Sequence, residues 1–281
     1  MSNLVKPNPD AQLIELWVHG RSPCTKDYYC RSAYRFLAHI GKPLEQATLS
    51  DVQSFATSLD ESNLTDSTRR TILAAVKSLL TFGNRLGMLP VNVGAPLKPP
   101  TAKDCLNERI LSEVDVMMMV RLEPDPQNKA LLRLLYAAGL RVSEVCGLHW
   151  RDLQPRFEGQ GQATIYGKGQ KTRVVLLPAP VWKELGELRQ GLELDEPVFS
   201  SKGKPMTRAK VWAIVKAAGQ RAGIQGDVSP HWLRHAHASH SLDRGAPIHL
   251  VQATLGHASV ATTGRYLHAR PSDSSSRFLP L

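Results

Sequence analysis

Between Leu89 and Asp104 the chain reads LPVNVGAPLKPPTAKD, with prolines at 90, 96, 99 and 100. Proline lacks a backbone N–H and fixes φ, so this stretch cannot carry a helix forward and is expected as an extended linker. It splits the 281 residues into two parts, each long enough to hold its own core. Ahead of it, from about Ala11 to Gly87, every segment has helical periodicity. DAQLIELWVHG places Leu13, Leu16 and Trp17 on one face. TKDYYCRSAYRFLAHIG does the same with Tyr28, Ala33, Phe36, Leu37 and Ile40, and Gly41 supplies a stop. TLSDVQSFATSLD has Ser50 as an expected N-cap. TDSTRRTILAAVKSLLTFGNRLG carries Ile72, Leu73, Val76, Leu79, Leu80 and Phe82.

After the prolines the pattern changes. Helices are expected at 112–122, 127–139 and 142–150. QATIYGKGQKTRVVLLP then gives two β-rich runs, 162–166 and 172–178, around GKGQ, a hairpin signal in which Gly167 and Gly169 supply turn freedom. Helical segments resume at 179–190, 207–223, 230–244, 247–255 and 259–268. The expected fold is therefore mainly α with a small β-sheet or hairpin, in two domains.

Charge narrows the partner. The net charge is +10; residues 1–100 hold 11 Lys and Arg against 8 Asp and Glu, and the rest 24 against 17, so both parts are basic. That balance suits a polyanion, nucleic acid being the commonest, although solubility alone is the plainer account. No run of about 18 apolar residues exists, so no membrane span is expected. MSNLVKPNPDAQ has no apolar stretch resembling a signal peptide, and Cys24, Cys30, Cys105 and Cys146 form no CxxC pair, so a cytoplasmic chain with reduced thiols is expected.

HWLRHAHASH, His231 to His240, holds four histidines in ten residues. His231 and His235 are four apart, the spacing of zinc ligands in HExxH. No glutamate lies between them, and Arg234, a fixed cation on the same face, opposes a divalent metal, so no metal is expected. At about 100° per residue, His231, Arg234 and His235 share one sector of a helix, and His237 and His240 fall near the opposite side. Donors at i and i+3 could grip one anion, a guanidinium fork suiting phosphate oxygens. Alone, the stretch reads more readily as a His-rich surface helix.

Four further boxes accompany it: GLRVSE with Arg141 and Glu144, GKGQKTR with Lys168, LGHAS with His257, and TTGRYLH with Tyr266. In this order and spacing, 23 residues from Arg234 to His257 and nine more to Tyr266, the chain resembles the tyrosine recombinase (phage integrase) family, in its Xer-like site-specific branch, over nearly its whole length. One departure is visible. The family's second box usually runs H-x-L-R-H-[ST]-F-A, and Ala236 and His237 stand here instead; both lie off the Arg234 side, so a packing variation is expected.

The resemblance implies a two-domain DNA clamp: a helical core-binding domain over 1–90, a linker over 91–106, and a mixed α/β catalytic domain over 107–281 ending in a short tail. It implies that Tyr266 attacks a DNA phosphodiester to give a 3′-phosphotyrosyl link and a free 5′ hydroxyl, with strands exchanged through a Holliday junction and no cofactor. Arg141 and Arg234 would clamp the nonbridging oxygens. His231 and His257 would bond the phosphate, and one of them would accept the tyrosine proton. Lys168 would protonate the leaving oxygen, with Lys171 and Arg173 on the same hairpin as rivals or as DNA contacts. Glu144 would orient Arg141, and His235 would give structural support. Arg69, Arg70 and Lys77 are candidate DNA contacts, solvated charge being the plainer account. The implied partners are double-stranded DNA with a specific recombination site and a homotetramer on two such sites; a partner recombinase or accessory protein stays open. Phe278, Leu279 and Leu281 are apolar groups with which the tail could dock on a neighbouring subunit, and loss of Ser274–Leu281 is expected to weaken assembly. The rival readings are a type IB topoisomerase, a noncatalytic DNA-binding protein of the same fold, and a zinc hydrolase.

Overall fold

A computed structural model describes residues 8–99, 109–167, 172–189 and 191–268. The chain forms two compact units, Met1–Asp104 and Cys105–Leu281. Lys168, Gly169, Lys171, Cys105, the end of the proline stretch and Ser274–Leu281 lie outside the described residues.

Among the described residues the first unit has four α-helices, α1 (Pro9–Val18), α2 (Pro23–Ile40), α3 (Leu49–Asp60) and α4 (Asp66–Arg85). Each starts on a side-chain cap, Asn8, Ser22, Thr48 and Thr65, whose oxygen accepts a first-turn N–H that the helix cannot satisfy itself. The cap of α3 corrects the expectation of Ser50. Thr48 forms a reciprocal capping box with Asp51, which fixes the start two residues earlier. Leu16, expected inside, is 47% exposed, because α1 buries Leu13, Ile14, Trp17 and Val18 instead. These meet Phe36, Phe55, Val76 and Leu79 in one core.

The second unit is built around α6 (Pro126–Ala138), which follows α5 (Glu113–Arg121) and buries Leu131, Leu132, Leu134, Leu135 and Ala138. The helix expected over 142–150 is broken. Only α7 (Val142–Cys146) forms, and after Gly147 the chain takes a 3-10 turn over Trp150–Asp152. It then enters β1 (Leu153–Pro155), a strand with no clear sequence signal. β1 pairs antiparallel with β2 (Gly161–Tyr166), and β2 with β3 (Thr172–Leu177), in the order β1-β2-β3. The β2–β3 register sets Ile165 opposite Arg173 and Ala163 opposite Val175. Then come α8 (Ala179–Leu188), a small pair β4 (Ser200–Ser201) and β5 (Lys204–Pro205), and α9 (Arg208–Arg221). α10 (Pro230–Asp243) packs on α6, and α11 (Ile248–Leu255) packs on α10. The helix expected over 259–268 divides into α12 (Val260–Gly264) and a 3-10 turn, Arg265–His268.

Candidate active site

The C-terminal ends of α6 and α11 meet beside α10. A helix leaves its last carbonyls unpaired and carries partial negative charge there, so cations are favoured. Arg234 on α10, only 4% exposed, donates through Nη1 to the Gly139 carbonyl at 2.5 Å and through Nη2 to the Leu255 carbonyl at 2.6 Å. Gly139 ends α6 at φ 58°, a left-handed conformation that glycine tolerates best. A Cβ there would lie 2.7 Å from Leu255 Cδ2 and 2.9 Å from His237 Cδ2. Gly256 ends α11 in the same way, at φ 63°.

Arg141 stands at the N-cap of α7 rather than within it. Its backbone N–H donates to Glu144 Oε2 at 2.8 Å, Nη1 to Glu144 Oε1 at 2.9 Å, and Nη2 to the Gly256 carbonyl at 3.1 Å. Glu144 is held from its other side by Arg173 of β3, whose Nη1 and Nη2 reach Oε1 and Oε2 at 2.9 and 2.8 Å. Arg173 Nε also donates to the Thr254 carbonyl at 2.6 Å. Burial alone would raise the Glu144 carboxyl, but the Arg173 fork and the Arg141 N–H groups outweigh it and hold the pKa below its ordinary value. Arg234 is pushed down to about 10, first by burial and then by the neighbouring Arg141, and it remains a cation at neutral pH.

The histidines border this cluster. His257 follows Gly256; its Nδ1 meets the Thr263 hydroxyl at 2.9 Å, and burial, then Arg234, Arg141 and Arg173, press its pKa to about 4. His231 is exposed at its outer edge, yet partial loss of water and the cations Arg234 and Arg141 lower its pKa too. Tyr266, on the 3-10 turn, is 5% exposed and packs with Ile110, Ala238, Val251 and Leu255. Its hydroxyl lies 2.6 Å from His235 Nδ1. Burial raises the phenol pKa, which Arg234 and Arg265 partly offset.

The phage integrase family profile matches residues 111–273, and the profile of the phage integrase N-terminal SAM-like domain matches residues 13–86. The chain belongs to the phage integrase family. The tyrosine recombinase of Thermosipho africanus is 32% identical over 262 residues, covering 89% of this chain and 90% of that protein. The tyrosine recombinase XerD of Shewanella oneidensis is 32% identical over 281 residues, covering 93% and 92%. Among solved structures, XerA recombinase superposes with a TM-score of 0.51 at 26% identity, covering 96% of this chain and 95% of that one. The pre-cleavage complex of the XerH site-specific recombinase with its difH substrate gives 0.73 at 21% identity, covering 96% and 82%, a likeness of fold. The chain is thus a tyrosine recombinase, an enzyme of site-specific recombination.

In this recombinase the fold brings Arg141, His231, Arg234 and His257 to the helix ends beside α10, with Glu144 beneath Arg141. Arg173, expected on the hairpin as a rival to Lys168 or a DNA contact, lies on β3 beside Glu144. Its fork is engaged with Glu144, which also pairs with Arg141, and its side chain is 13% exposed in the DNA-free chain. In the first unit Arg69 is ion-paired with Asp60 and Asp66, Lys77 donates to the carbonyls of Ala95 and Leu97, and Arg70 is exposed. His237 and His240 both turn to Tyr136, on its carbonyl and its hydroxyl. The contact between His235 and Tyr266 is the feature that the sequence reading missed. No cluster of His, Cys, Asp and Glu suited to a metal occurs among the described residues, and no helix among them is long and apolar enough to cross a membrane.

Proposed function

We propose that this recombinase cuts and rejoins double-stranded DNA at a specific site through a 3′-phosphotyrosyl link on Tyr266, and passes strands through a Holliday junction. The observation that carries this reading is the pair of guanidinium groups, Arg141 and Arg234, aimed by backbone carbonyls before any phosphate arrives. Preset cations suit the charge that builds on nonbridging oxygens in phosphoryl transfer, and each can supply several kcal/mol, about 3 by analogy with oxyanion donors. His231 and His257 would add hydrogen bonds to the phosphate. Lys168 would give the leaving 5′ oxygen its proton. Because the phosphodiester energy is kept in the tyrosyl ester, no nucleotide cofactor is needed.

The XerH structure holds that protein on its difH substrate, which supports DNA as the partner here. We extend the reading to a homotetramer on two sites, working in the cytoplasm, with a second recombinase or an accessory protein as an optional partner. The test is a nicked suicide substrate carrying the recombination site, taken from the DNA flanking the gene. The wild type should trap a covalent protein–DNA adduct without Mg²⁺, and Tyr266→Phe should trap none. An adduct from Tyr266→Phe would remove Tyr266 as the nucleophile. Relaxation of supercoiled DNA with no strand exchange between paired sites would favour a type IB topoisomerase.

A further inference from the structure

We propose that His235, through Nδ1, is the base that takes the phenol proton of Tyr266 as its oxygen attacks DNA. The proposal rests on the reading of Tyr266 as the nucleophile and adds a residue to that site.

The geometry singles out His235. Its Nδ1 is 2.6 Å from Tyr266 Oη, and the rings stand 5.6 Å apart, so the two side chains are placed for direct transfer. His257, a rival on chemistry, has its Nδ1 on the Thr263 hydroxyl. His231 stands one turn away on α10, its ring 6.4 Å from that of His235. Among the described residues, His235 is the hydrogen-bond partner of the Tyr266 hydroxyl.

The surroundings keep His235 able to accept. Burial acts first, and then coupling to the neighbouring His231 imidazole and the cations that face it, Arg234 on α10, Arg109 ahead of α5, and Arg265 beside Tyr266. Together they press its pKa to about 4, so the ring is neutral near pH 7. A neutral imidazole has one lone-pair nitrogen. With the phenol O–H donating, that nitrogen is Nδ1, and Nε2 holds the proton.

Full transfer ahead of attack would be steeply uphill, because a phenol releases its proton only near pH 10 or above. The proton must therefore move while the new bond forms. Oη–H breaks and Nδ1–H forms; Oη bonds to phosphorus; the bond from phosphorus to the 5′ oxygen breaks, and that oxygen takes a proton from the general acid, Lys168 in the reading above. Rejoining runs in reverse, with the His235 imidazolium returning its proton to Oη. An arriving phosphate also helps. Its negative charge beside Arg234 offsets one of the cations that depress His235, which strengthens the base when substrate is present.

The test is single-turnover cleavage of the nicked suicide substrate by wild type, His235→Asn, His235→Ala and Tyr266→Phe, from about pH 5.5 to 9, a range bracketing the ordinary histidine pKa. Asparagine keeps an acceptor near Oη and removes the basic nitrogen. Both His235 variants should bind the DNA like wild type in a mobility shift. They should cleave about 100-fold more slowly near neutrality, the low end of general-base contributions. Their rates should climb with pH as phenolate forms, while the wild-type rate stays nearly flat. Added imidazole should partly restore His235→Ala. Cleavage by His235→Asn within about threefold of wild type would overturn the proposal. So would a loss equal at every pH and untouched by imidazole, which would mark a positioning residue only. Nitrogen NMR of the wild type gives a check independent of any variant: a protonated Nδ1 on His235 would overturn it as well. An adduct from Tyr266→Phe would instead defeat the nucleophile assignment, so the two failures are distinct.

Discussion

Replacing Arg173 by alanine tests whether the arginine clamp is braced from the β-sheet. Arg173 gives two N–H bonds to Glu144, at 2.9 and 2.8 Å, and one to the Thr254 carbonyl at 2.6 Å. The two side chains are 13% and 3% exposed, so the pair is largely removed from water. Deleting one partner of such a pair costs about 3–5 kcal/mol, mostly as the penalty of the charge left behind. Arg141 still supplies two N–H groups to Glu144, which argues for the lower end, about 3 kcal/mol. For a unit of this size that corresponds to a fall of about 6–12 °C in the melting of the second unit. Scanning calorimetry measures the fall. A double-mutant cycle with Glu144→Gln should return a coupling of about 2 kcal/mol, well above the additivity limit of about 0.5 kcal/mol. Arg173→Lys keeps the charge and loses the fork, and should recover less than half of the loss. Adduct formation should fall more than DNA binding, because Arg141 keeps its charge and loses its aim. A melting temperature within about 2 °C of wild type, less than 1 kcal/mol for this size, would refute the argument, since Glu144 would then be satisfied without Arg173.

Two further outcomes follow from the geometry. His235, His237 and His257 each sit at about 4 in the folded chain, against an ordinary value of 6.5. The unfolded chain takes up these protons first as pH falls, so stability is full above about pH 6.5, drops through the window down to about 4, and then levels. Each histidine has a ceiling of about 3 kcal/mol at 1.36 kcal/mol per pKa unit, reduced to about 1–2 by partial exposure; a urea midpoint unchanged between about pH 7 and 4.5 would contradict the depressed values. Gly139→Ala forces a left-handed residue to carry a Cβ placed 2.7 Å from Leu255 Cδ2. It should cost about 2–5 kcal/mol of strain and overpacking and, by moving the carbonyl that aims Arg234, slow adduct formation; a variant with the stability and cleavage rate of wild type would show that this carbonyl does not need to be fixed.

Helical phase, read from the sequence, separated the histidines of α10. It grouped His231, Arg234 and His235, and the structure gives the other two, His237 and His240, to Tyr136 on α6. The same arithmetic could not show which of the grouped histidines touches Tyr266. That depends on where the 3-10 turn Arg265–His268 falls against α10, a long-range placement that no local pattern encodes. Arg173 was legible in principle. It alternates with Val175 and Leu177, both buried, so strand parity puts it on the inward face of β3. Reading it by its charge alone pointed it at DNA. Thr48 and Ser50 both offered a box, T-x-x-D with Asp51 and S-x-x-Q with Gln53, and the structure uses the carboxylate at Thr48. β1 was not legible, because three residues, LQP, carry no periodicity to detect.

The site has a single organising device. Three arginines and one glutamate sit together, an excess of two positive charges, and the cluster would repel itself if it faced only its own members. The carbonyls of Gly139, Thr254, Leu255 and Gly256 take five-donor forks by one bond each and lie at helix ends that carry partial negative charge. The helices need partners for those carbonyls whether or not DNA is bound, so the interactions that finish α6 and α11 also set the guanidinium planes. On the proposed reading, a phosphodiester would meet cations whose orientation has already been set during folding, with little reorganisation left for the binding step. Its arrival must also change the histidines. Arg234, Arg141 and Arg173 are the charged groups that press His257 down to about 4, and a bound phosphate lowers the positive potential of that cluster. On the same proposed reading the pKa of His257 would rise on binding DNA, which would favour its protonated form beside the phosphate.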